Sequence, residues 1–72
     1  MDSINRVALI VQEFSPINNS VVAEIKSHAS DLSEQDIAKA LRWLEGDERI
    51  FIHKNSRTSD EIKRIDKVVW VK

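Results

Sequence analysis

Two histidines, twelve carboxylates and no cysteine are the groups in this 72-residue chain that could hold a metal or move a proton. His28 and His53 have no second histidine, cysteine or acid pair at ligand spacing, and a lone histidine is ordinarily a structural one. Asp47-Glu48 and Asp60-Glu61 are adjacent pairs. Adjacent side chains diverge, whereas an acid and a base must face each other across a cleft. A single glycine leaves no glycine-rich loop to cradle a phosphate, and a chain this short has little room for a deep pocket. The expectation is a protein that is not an enzyme, with no metal and no cofactor.

The other chemistry available is that of cations toward phosphates. The net charge of −1 conceals an asymmetry. Residues 1–48 hold four lysines and arginines against nine carboxylates, a balance of −5, and residues 49–72 hold seven against three, a balance of +4. Lys54, Arg57, Lys63, Arg64 and Lys67 form the basic set of that last third, suited to lying along a nucleic-acid backbone, where each phosphate neutralised releases counterions. The plainer alternative is a solvated loop whose lysines guard strand edges. A second set, Ser33, Gln35, Lys39 and Arg42, has the spacing of one helix face and includes side chains able to address base edges. Glu34 and Asp36 lie beside it with the wrong sign for phosphates, and a pI of about 6.1 is low for a strong nucleic-acid binder.

The elements that must carry these side chains follow from periodicity. Ile4, Val7, Ala8, Val11 and Phe14 recur every three or four residues, one apolar stripe of a helix that Ser15-Pro16 brings to an end. Ile17 then sits in a short extended link. Asn18, Asn19 and Ser20 are N-cap types ahead of a second helix that turns Val21, Val22, Ile25 and Ala29 to one side. After the turn Ser30-Asp31-Leu32, Ser33 and Asp36 resemble a capping box opening a third helix with Ile37, Ala40, Leu41 and Leu44 inward. Gly46 stands where a left-handed residue would close that helix. Beyond it the period changes to two: 49–54 and 67–72 are rich in β-branched and aromatic residues and should pair antiparallel, joined by the long polar loop Asn55 to Asp66. Trp43, on the flank of the third helix, is expected beneath the hairpin, and Trp70 over the core. Leu9 falls opposite the first helix's stripe, so it marks an interface if the protein forms a homodimer.

The order helix, link, helix, turn, helix, hairpin resembles the winged helix-turn-helix. The likeness is strongest from Val21 to Ile52: Val22-Ala23-Glu24-Ile25 is similar to the opening of that motif's second helix, Leu32 to Ile37 to the entry of its recognition helix, and Ala40 to Glu45 followed by Ile50 to the exit into the wing. It implies an α+β domain over residues 1–72, three helices closed by a two-stranded hairpin wing. The turn between the second and third helices is about one residue longer than usual and lacks glycine. The short strand ending in Trp70 is also similar to the wing of Z-DNA-binding winged helices, but Ala38 and Arg42 stand where that family has an asparagine and a tyrosine, and its paired wing prolines are missing, so that activity is not carried over. The function implied by the resemblance is nucleic-acid binding, as a DNA-binding module of transcriptional-regulator type. The alternative is a protein-protein adaptor, which the acidic first two-thirds would suit.

No apolar run approaches the roughly 18 residues needed to span a bilayer, and the start lacks the basic and apolar regions of a signal peptide. An intracellular, cytoplasmic protein is expected.

Overall fold

The computed structural model describes residues 3–72, and Met1 and Asp2 lie outside it. Helix α1 spans Ser3–Phe14 and buries Val7, Ala8 and Val11. The Ser15 N–H donates to the Val11 carbonyl at 2.8 Å, closing the helix. The Ser15 hydroxyl accepts from the Trp70 N–H at 2.8 Å, tying the end of the first helix to the last strand.

The link after Pro16 is a strand. Ile17–Asn18 (β1) pairs antiparallel with Val68 and Lys67 of β3, Ile65–Trp70, which pairs on its other side with β2, Ile50–Lys54. The sheet therefore has three strands in the order β1-β3-β2, where the sequence suggested a two-stranded hairpin beside a loose link. Ile17 is 4% exposed, and burying it presses the link against β3, whose backbone groups on that side would otherwise lack partners. Two residues are too few to show a period of two.

Helix α2, Val21–His28, follows a sharp corner. Asn19 and Ser20 have left-handed backbones, with φ of 60° and 48°, and Ser20 makes no side-chain cap. These residues serve as turn formers, not as the caps their types suggested. The glycine-free turn to α3 is held by Lys26, whose ammonium donates to the carbonyls of Ser30 at 3.3 Å and Leu32 at 2.6 Å. Helix α3, Glu34–Gly46, starts as expected: the Ser33 hydroxyl accepts from the Asp36 N–H at 3.1 Å. Its end differs. Gly46 is still helical, and the left-handed residue is Glu48, with φ of 61°.

Strand β2 begins one residue inside the expected 49–54 and ends where expected, β3 lies two residues earlier at each end than the expected 67–72, and the register slips between His53 and Lys54. The loop between them is not irregular throughout. Asp60 caps a one-turn helix α4, Glu61–Arg64, its carboxylate accepting from the N–H groups of Ile62 at 2.9 Å and Lys63 at 3.2 Å. Ile62 packs against the core and Ile65 is part of it, so two apolar residues three apart draw the loop onto α3.

The core joins all three long helices to the sheet. Val7, Val11, Val22, Ile25, Ile37, Leu41, Leu44 and Val68 are each at most 1% exposed. No buried side-chain polar atom among the described residues lacks a partner. The three main helices followed by a C-terminal hairpin, with this sheet order, are consistent with a winged-helix arrangement. Among the described residues no helix is long and apolar enough to cross a membrane.

Candidate nucleic-acid interface

Gln35, Lys39 and Arg42 are exposed along the outward side of α3, spaced four and then three residues apart, and therefore lie on one helix face. Ser33, the fourth member of the set, has its hydroxyl engaged as the N-cap of the same helix. Arg42 is exposed as expected, and its guanidinium is paired with the Glu61 carboxylate of α4. Sequence reasoning does not find Glu61, because the polar residues around it hide the capped turn that places it opposite α3. Gln35, Ala38, Lys39 and Arg42 consequently form one wall of a shallow groove whose other wall is Asp60, Glu61 and Ile62.

Trp43 sits four residues after Lys39 on the same outward side and is 52% exposed, a correction to its expected place beneath the hairpin. The inward positions of this turn are taken by Leu41 and Leu44, both fully buried, and Ala40. Trp70 is half-buried against the core, as expected.

The five basic residues of the wing divide in two. Lys54 is bound to Glu45 of α3 at 3.4 Å, and the Arg64 Nε donates to the Thr58 carbonyl at 3.2 Å, bracing the loop from within. Arg57, Lys63 and Lys67 form no ion pair among the described residues, and neither does Lys39. Arg57 is exposed in the turn at the wing tip, its N–H donating to Asn55 Oδ1 at 2.9 Å. Lys67 belongs to the outer face of the sheet, opposite His53 on one side and Asn18 on the other. Lys63 lies toward α2, with Glu34, Asp60 and Asp66 close by. The stretch Arg49 to Ser59, which contains the tip, carries no carboxylate at all.

Both histidines have ring partners. His28 stacks on Phe14 with centroids 4.2 Å apart, and His53 meets Phe51 edge-on at 4.7 Å. Among the described residues no group of three or more His, Asp or Glu side chains gathers to hold a metal ion. The chain matches no protein-family model, no curated protein and no solved structure.

Proposed function

We propose that this chain is a winged-helix module that binds the backbone of duplex nucleic acid through its wing tip, with the outward side of α3 alongside. The observation that carries the reading is the carboxylate-free stretch Arg49 to Ser59, which ends in an exposed turn bearing Arg57. Hydroxyls, an amide and a guanidinium are the donors that phosphate oxygens accept from. Lys39 and Lys67 add cations with no carboxylate bound to them. Because Arg42 is held by Glu61, the reading is of backbone binding with little base recognition, and the molecule would bind many sequences alike.

A specific observation favours a second reading, that of a protein-binding adaptor. Arg42 is neutralised and Trp43 exposed on the same side of α3, and tryptophan and arginine are the side chains over-represented in the energetic centres of protein interfaces. Binding of a random duplex at several salt concentrations separates the two. In the nucleic-acid reading log K falls linearly with log salt, and replacing Arg57, Lys63 and Lys67 with alanine makes the slope shallower by about 0.9 for each phosphate that is no longer neutralised. An unchanged slope, or no binding even at low salt, leaves the adaptor reading standing instead.

A further inference from the structure

Strand β2 is the longer of the sheet's two edge strands, and one side of it is bare. The Val71 N–H donates to the Arg49 carbonyl at 2.8 Å, so 49 and 71 are a hydrogen-bonded pair, and by the alternation of an antiparallel ladder so are 51 with 69 and 53 with 67. The backbone groups of Ile50 and Ile52 therefore point away from β3, and no hydrogen bond among the described residues meets them. Edges of this kind are usually broken by charge or proline. Here the only lysine stands at the far end, at Lys54, and Ile50 to His53 carry no formal charge with histidine neutral. On the outer face Phe51, 55% exposed, lies opposite the half-buried Val69, and Val71 beyond it is 57% exposed.

We infer that this edge is a self-association surface, on which β2 pairs antiparallel with β2 of a second copy about a two-fold axis through Ile52. The register is determined by the strand itself. Residues whose backbones face the free edge must pair with residues of the same kind, and of those only a centre at Ile52 overlaps all five residues of the strand. Ile52 then faces its own copy, Phe51 faces His53 of the second copy, and Ile50 faces its Lys54. The four rings gather on the outer face, an intermolecular repeat of the edge-on Phe51–His53 packing within each chain. Charge favours a second copy as the occupant. The strand is preceded by Asp47 and Glu48, both exposed, with Asp47 also holding the adjacent Arg49 at 3.3 Å, and it is followed by the basic turn containing Arg57, so the two-fold brings the carboxylates of each chain's corner toward the basic turn of the other. A three-stranded sheet becomes one of six, and a small core without disulfides gains buried apolar surface.

Sedimentation equilibrium of the full chain from micromolar to millimolar concentration tests this, with amide hydrogen exchange read at both ends of the range. The expected result is a monomer–dimer equilibrium in which the amides of Ile50 and Ile52 become protected as concentration rises. Phe51→Lys weakens association by about tenfold or more. Asp47→Arg weakens it too, and adding Arg57→Asp to that variant restores it, an outcome that a mere loss of folding cannot produce. A monomer throughout, with concentration-independent exchange at Ile50 and Ile52, would overturn the proposal. So would a dimer that withstands both Phe51→Lys and Asp47→Arg but dissociates in Leu9→Lys, since that places the interface on α1.

Discussion

Arg6 and Asp31 join the first helix to the turn before the third by two parallel hydrogen bonds, Nη1 to Oδ2 at 2.5 Å and Nη2 to Oδ1 at 2.7 Å. The hydrogen bond from Arg6 is the main reason that the Asp31 carboxyl lies below its ordinary value of 3.8, at about 2, with its own turn's backbone and the charges of Arg6 and Lys26 adding to the effect. A carboxyl depressed on folding contributes stability that is complete above the unfolded value and lost as the pH falls to the folded one. The pair's contribution is thus present at neutral pH and disappears between about 4 and about 2. Urea unfolding of the protein and of Asp31→Asn across that window should show two midpoints that converge as the pH drops. Neither group is buried, so molar salt should bring the midpoints together as well. A gap independent of pH would mean that the pair does not act through charge.

Helices α1 to α3 were legible because each is long enough for its apolar residues to repeat, and Ser33 announced the start of α3 by its type and its spacing from Asp36. What the sequence did not disclose is short. Two residues of β1 show no alternation, and α4 is a single turn whose signal, Asp60 as cap with Ile62 and Ile65 three apart, is outweighed by the polar residues around it. Of the two, α4 shapes the candidate site, since it carries the Glu61 that engages Arg42, while β1 covers the far side of β3. The end of α3 misled for a different reason, glycine being the commonest left-handed closing residue but not an obligatory one. Gly46 is helical, and a Cβ added there meets nothing within 4 Å, so Gly46→Ala should stabilise the protein by about 0.5–1 kcal/mol in thermal or urea unfolding. Destabilisation by that substitution would show that Gly46 needs the left-handed conformation after all.

Across the whole molecule the charge that the sequence divides by position is partly cancelled in space. Glu61 lies within the basic third and binds Arg42, and Glu45 of the acidic part binds Lys54, so two of the nine residues proposed from sequence to touch nucleic acid are already paired with carboxylates. Leu9 is exposed as its position implied, at 60%, yet its neighbours Asn5, Gln12 and Glu13 are exposed and polar, which makes α1 a poorer apolar surface than the outer face of the sheet. What survives of the basic pole includes the wing tip with Arg57 and the outer sheet face at Lys67, and Lys39 on the flank of α3 adds a cation from the acidic part. An NMR titration of labelled protein with a random DNA duplex at low salt addresses that claim most directly. Backbone shifts concentrated at Asn55 to Thr58, Lys39 and Lys67, and abolished by added salt, are the predicted result. A spectrum that the duplex leaves unchanged at low salt would contradict it.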